Sequence, residues 1–257
     1  MYGYFNFDDS QHSVRIRNVQ LPHSADSVKY EGVKLFLTDL LTGIDFEMKD
    51  TVLNVNGQIT NNYVINHPLG AGGKYGVRLE DGNGITSTSF TMPSNSMHSV
   101  RFDTLDGCYQ AQQFYFTNVE SDEFIILEAG VSYAGLTHWG TIQSVQKPEH
   151  IEGTDTVYMR LNLNNILVDI FPPPPEVTVG VPPVTWLPSV RCQQLESDEI
   201  QIRYIHFGAD WNVIREAGFL EEGILDASTV ENGVGFIGGI NTGSFSFYAD
   251  RPQPSTF

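Results

Sequence analysis

The sequence predicts an all-β protein, with an N-terminal immunoglobulin-like β-sandwich over residues 1–95 and a second β-rich domain over residues 96–257. Three observations lead there. Aromatic residues are plentiful, 16 Phe and 11 Tyr, and β-branched residues recur in short runs, a mixture that packs well on pleated surfaces. Apolar and polar residues alternate with a period of two along many segments, which turns one face of each inward. Gly, Asn and Asp clusters punctuate those segments at the short spacing of a sandwich.

Val14-Arg15-Ile16-Arg17 places apolar and basic side chains on opposite faces of a first strand. Gly32 to Thr38 repeats the alternation, Leu41-Thr42-Gly43 turns, and Ile44 to Met48 returns, which reads as a hairpin. Tyr63-Val64-Ile65 is followed by the loop Gly70 to Gly73 and the strand Lys74 to Leu79. Asp81-Gly82-Asn83-Gly84 signals a tight turn into Ile85 to Thr91, and Pro93 to Ser96 marks a boundary. Beyond it, Gln112 to Phe116 and Phe124 to Ala129 flank the acidic turn Glu120 to Glu123. Thr156 to Leu163 and Ile200 to Ile205 complete the strand set. The best helical segment runs from Trp211 to Glu222, interrupted by Gly218. Pro172-Pro173-Pro174-Pro175 and Pro182-Pro183 cannot donate to a ladder, so residues 172–188 form an extended loop or polyproline II connector.

Gly233-Val234-Gly235-Phe236-Ile237-Gly238 spells G-x-G-x-x-G. In a dinucleotide site such glycines open a helix whose N-terminus holds a pyrophosphate. Here the alternating Ser244-Phe245-Ser246-Phe247-Tyr248 continues the run as a strand. The glycines are therefore expected to let a strand bend or pass close to another backbone.

Thirty-one acidic against 14 basic residues give a net charge of −17. That balance repels nucleic-acid phosphate and suits solubility, cation attraction or a basic partner. Cys108 and Cys192 are too few for a disulfide scaffold or a thiolate cage, and they form either one bridge or two buried thiols. No run has the length of a transmembrane helix, and Met1-Tyr2-Gly3-Tyr4 does not read as a signal peptide.

No G-x-S-x-G, H-E-x-x-H or C-x-x-C is present. His12, His23, His67, His98, His138, His150 and His206 are scattered, with no pair at the spacing of a helical metal site. The pairs Asp8-Asp9, Asp122-Glu123, Asp198-Glu199 and Glu221-Glu222 are read as solvated charges, because neighbouring side chains on a strand diverge. Asp103 to Gly107 has oxygen ligands and a turn glycine but lacks the distal acid of a calcium loop. Trp139, Trp186 and Trp211 are read as core residues before sugar platforms. No catalytic, cofactor-binding or metal residue is assigned.

Pro68-Leu69 with Gly72-Gly73-Lys74-Tyr75, the turn Glu80 to Gly84 and the closing Thr91-Met92-Pro93 form one set of motifs. Val230-Glu231-Asn232-Gly233-Val234-Gly235-Phe236-Ile237-Gly238-Gly239 forms another. Together they resemble a family of predicted outer-membrane lipoproteins of Bacteroidota and related bacteria, catalogued only as a domain of unknown function. In that family an immunoglobulin-like module reads P-L-x-x-G-x-x-Y-x-L-x-V-x-D-G and ends in T-V-P, and a later run reads I-x-N-G-L-G-V-F-G. The resemblance implies placement at the outer membrane, near TonB-dependent receptors, through a lipid anchor that is not expected within residues 1–257. It supplies no catalytic residue.

The sequence therefore leads to the expectation of a non-catalytic cell-envelope binding or accessory protein without cofactor, working with an outer-membrane receptor or transporter. Its contact surface is expected at an exposed sandwich edge or at Pro172, Pro173, Pro174, Pro175 and Trp186. A carbohydrate-binding or carbohydrate-active protein is the alternative, and a structural protein of a virion or surface appendage a further one.

Overall fold

A computed structural model of the protein describes residues 1–16, 30–55, 58–82, 84–102, 112–133, 135–141, 149–161, 199–217 and 228–248. The fold is all-β and divides into two compact units. Unit 1 comprises Met1–Asn95, Asp122–Phe124 and His206–Thr242; unit 2 comprises Ser96–Ser121, Ile125–Ile205 and Gly243–Phe257.

Unit 1 contains β1 (Tyr2–Asn6), β2 (Gln11–Arg15), β3 (Lys34–Asp39), β4 (Ile44–Glu47), β5 (Lys49–Val55), β6 (Gln58–Asn66), β7 (Lys74–Asp81) and β8 (Gly84–Thr91). Unit 2 contains β9 (Met97–Phe102), β10 (Gln112–Thr117), most of β11 (Phe124–Tyr133), β12 (Leu136–Thr141), β13 (Glu149–His150), β14 (Val157–Leu161) and most of β15 (Glu199–Phe207). A 3-10 turn (Ala209–Trp211) and helix α1 (Asn212–Ala217) follow β15 in unit 1. The last strand, β16 (Phe236–Tyr248), belongs to unit 1 through Thr242 and to unit 2 from Gly243.

In unit 1 the strand order β4-β3-β7-β8 makes one layer, and β16-β1-β2-β6-β5 makes the other. Period-two alternation fixes what each layer buries. On β7, Tyr75, Val77 and Leu79 point inward, while Lys74, Gly76, Arg78 and Glu80 occupy the opposite face. Leu35 and Leu37 of β3 join them, and Phe5, Val14, Tyr63, Ile65 and Ile237 arrive from the second layer, which makes a β-sandwich core. Phe90 stacks on Phe5 at 4.6 Å between ring centroids. Each such side chain contributes about 1.5–3 kcal/mol when removed from water.

The expected tight turn and the expected hairpin both form. At the β7–β8 turn Asp81 pairs with Gly84, so two residues make the loop. At the β3–β4 turn Asp39 pairs with Ile44, Gly43 has φ 71°, and its N–H donates to the Asp39 carbonyl at 2.7 Å.

In unit 2 the layers are β12-β11-β15-β16 and β13-β14-β10-β9. Phe114, Phe116, Val157 and Met159 of one layer meet Ile125, Leu127, Ile200, Ile202 and Phe247 of the other. The result is a second two-layer core.

Residues 236–240 run parallel to β1, with Tyr2 opposite Phe236 and Asn6 opposite Ile240. The glycine run thus enters strand at Phe236 and opens no helix, with Gly233 to Gly235 leading into β16. A Cβ on Gly239 would lie 2.6 Å from the Thr91 carbonyl oxygen and 2.9 Å from the Met92 Cα, so backbone occupies the space of a side chain. Helix α1 covers only the start of the expected helical segment, and residues 218–222 lie outside the described residues.

His12 of β2 is 3% exposed, and its Nε2 bonds the His67 carbonyl at 3.0 Å. Burial lowers its pKa from the ordinary 6.5, against opposing contributions from that carbonyl and from Asp9. The unfolded chain therefore takes up a proton that the folded chain refuses. This contribution is fully present above about pH 6.5 and is lost as pH falls below it. The urea midpoint is expected to drop between about pH 7.5 and pH 5.5, and to drop less in His12→Gln.

Candidate functional site

A cleft of about 420 Å³ opens on the exposed face of the β4-β3-β7-β8 layer of unit 1. Alternation explains its floor and its walls. Gly76 of β7 has no side chain to raise the surface, while Thr38 of β3 and Arg78 of β7 share that face and stand around it. On the β8 side, residues 229–231 run alongside the strand: Ser87 and Glu231 form an antiparallel bridge, and the Thr88 hydroxyl donates to the Thr229 carbonyl at 2.8 Å. Glu231 is thereby brought to the cleft beside Ser87 and Ser89.

The charged groups of the cleft hold one another. Asp45 accepts from the Thr38 hydroxyl at 2.6 Å through Oδ1 and from Arg78 Nη2 at 2.7 Å through Oδ2. The Thr38 hydrogen bond, then the Arg78 charge, keep the Asp45 carboxyl below its ordinary pKa. Arg78 also pairs with Glu80 through Nη1 and stacks on Phe36 at 4.7 Å from the ring centroid. Glu231 makes no ion pair among the described residues.

The β3–β4 tip rises at one end of this cleft, with Leu41 92% exposed and Leu40 and Ile44 about half exposed. The Asp39 carboxylate accepts from the N–H of Leu41 at 2.8 Å and of Thr42 at 3.3 Å, which fixes the turn. That Leu41 amide bond is also the main reason the Asp39 pKa lies below its ordinary value. The turn therefore holds its apolar side chains outward.

A second constellation in unit 1 is buried. His206 at the end of β15 has no exposed surface, and its Nε2 donates to Glu123 at 2.9 Å. The same carboxylate accepts from the Ser94 amide at 3.3 Å and the Ser94 hydroxyl at 3.2 Å. The sequence reading of Asp122-Glu123 as a solvated pair is corrected here: Asp122 is exposed, but Glu123 is 6% exposed because the turn tucks it under β15. In a nucleophilic triad the imidazole stands between hydroxyl and acid. Here the acid is the shared hub, which suits a structural junction. Nearby, Asp210 accepts from the Thr91 amide at 2.8 Å, and burial raises its pKa.

The two tryptophans among the described residues, Trp211 and Trp139, differ in setting. Trp211 packs edge-on against Phe207 and Phe236, and its indole N–H donates to the Gly239 carbonyl at 3.1 Å, so it is core. Trp139 in unit 2 is 37% exposed, but Arg203 lies over its ring at 4.0 Å and is itself held by Glu128. Gly130 leaves room for the indole, since a Cβ there would sit 3.1 Å from two ring carbons. The ring is packed beneath and capped above. Arg203→Ala is expected to uncover it, shifting and quenching tryptophan fluorescence at a stability cost of about 0.5–1 kcal/mol.

Pro172, Pro173, Pro174, Pro175, Trp186, Cys108 and Cys192 lie outside the described residues, as do Asp103 to Gly107. Among the described residues no three His, Cys, Asp or Glu side chains converge to hold a metal ion. No helix among them is long and apolar enough to cross a membrane. Asp45, Gly76, Arg78 and Glu231 were not singled out from the sequence as site residues. Glu231 stands 153 positions beyond Arg78, and no local motif announces that they share a cleft. No protein-family model matches the chain, and no curated protein matches it.

Proposed function

We propose that the protein is a non-catalytic binding or accessory protein of the cell envelope, working beside an outer-membrane receptor or transporter of the TonB-dependent type. The observation that carries the binding role is the β3–β4 tip. Leu40, Leu41 and Ile44 stand out together on a turn that Asp39 fixes in place. Single exposed apolar residues need no explanation, but a fixed cluster at an edge hairpin suits insertion into a partner's groove. Strand β4, at the end of its layer, adds a sheet edge beside that cluster. Placement in the envelope rests on the sequence resemblance described above.

A photo-crosslinking amino acid at position 41, in cells that express the protein at native level, tests the reading. Crosslinks to one outer-membrane receptor are expected. Leu41→Asp should reduce co-purification of that receptor by about tenfold or more, an ordinary loss for one apolar anchor. Its unfolding midpoint should stay unchanged, because Leu41 is 92% exposed. Absence of any envelope crosslink, or equal receptor recovery with Leu41→Asp, would overturn the proposal.

A further inference from the structure

We infer that the cleft over Gly76 binds a neutral polyhydroxylated ligand, a sugar ring or a polyol of similar size. This goes beyond the receptor-accessory role and does not rest on it. The volume of about 420 Å³ falls within the roughly 300–1,000 Å³ of small-molecule sites. The chemistry of the walls then selects the ligand.

An anion gains little there. The one guanidinium, Arg78, is already engaged by Asp45 and Glu80, and Glu231 adds a further negative charge. A metal ion finds no converging set of ligands among the described residues. What is left over is hydrogen-bonding capacity of both kinds. The Glu231 carboxylate accepts, the Ser87 and Ser89 hydroxyls donate and accept, and Arg78 has N–H groups beyond the two directed at Asp45 and Glu80. Vicinal hydroxyls on a ring both donate and accept, so they match this mixture where a single charged group would not. Leu40, half exposed on the rim, offers an apolar contact to the C–H face of such a ring.

Preorganisation supports the assignment. Asp45 is held by two hydrogen bonds, and Arg78 by two carboxylates and the Phe36 ring. Their positions cost little further ordering when a ligand arrives. Residues 229–231 supply the last wall through the Ser87–Glu231 bridge.

The test titrates the full chain with glucose, galactose, mannose, N-acetylglucosamine and myo-inositol, and with ethanolamine as a cationic control. Ligand-observed NMR and calorimetry read the binding. At least one of the hydroxylated probes is expected to saturate with Kd on the order of 1 mM. Gly76→Val fills the floor: its Cβ meets the mobile end of Leu40 at 3.3 Å and makes ordinary contacts at 3.8 Å with the Thr38 Cβ and the Thr88 carbonyl oxygen, and valine favours a strand. That variant should keep its unfolding midpoint and lose binding by about tenfold or more. Glu231→Gln should weaken binding by roughly fivefold, as for one hydrogen bond to a charged group. No saturation by any hydroxylated probe, unchanged affinity in Gly76→Val, or saturation by ethanolamine alone would each overturn the assignment. Homologous trisaccharides of the probe that binds then separate a polymer end from a free sugar, since only the former gains affinity with length. Receptor co-purification with Gly76→Val stays intact if only this inference fails.

Discussion

His206→Ala is expected to destabilise unit 1 by about 3–5 kcal/mol, a large fraction of the ~5–15 kcal/mol that holds a domain together. The reason is what the substitution leaves behind. Glu123 is 6% exposed, and the imidazole supplies its buried side-chain partner at 2.9 Å. Without it the buried carboxylate loses that bond and retains those from the Ser94 hydroxyl and amide at 3.2 and 3.3 Å. Glu123→Ala should cost less, because an imidazole is cheaper to bury than a carboxylate that has lost a partner. The double variant His206→Leu with Glu123→Met should recover much of the loss, since apolar side chains of similar size need no partners. Urea unfolding of the unaltered protein, His206→Leu, Glu123→Met and their double variant completes the cycle. A double variant as unstable as the sum of the singles would show that the two side chains do not act as a pair.

Gly239→Ala is the second large effect, expected to cost about 3 kcal/mol or more through overpacking against main chain. Its Cβ would meet the Thr91 carbonyl oxygen at 2.6 Å and the Met92 Cα at 2.9 Å, and a backbone cannot rotate aside as a side chain can. Gly82 serves as the control, for a Cβ there meets nothing within 4 Å, and Gly82→Ala should change the midpoint little. Comparable losses in the two variants would mean that loss of glycine flexibility, and not the close approach, sets the cost.

Much of the sandwich was legible because its signals are local. Alternation in Lys74 to Leu79 marks one buried face whatever the strand pairs with, and Asp81 to Gly84 marks its own turn. The glycine run was legible for the same reason, since the alternating residues after it already exclude a helix. Glu123 was misread because adjacent acids diverge on a strand, and nothing local shows that one of them turns beneath His206, 83 positions away. The cleft is hidden in the same manner. Arg78 and Asp45 meet only through the β4-β3-β7 order, and Glu231 arrives from a segment 144 positions beyond Ser87. The return of residues 206–242 to unit 1 carries no mark in composition or period. Long-range meetings of this kind are tertiary facts, and single-sequence periodicity does not encode them.

The measurement that bears most directly on the functional account is purification of the tagged full-length gene product from its native membrane fraction, with mass spectrometry of what it retains. Recovery in the outer membrane together with a TonB-dependent receptor is expected, reduced by about tenfold or more in Leu41→Asp. Recovery in the soluble fraction without that receptor would contradict it.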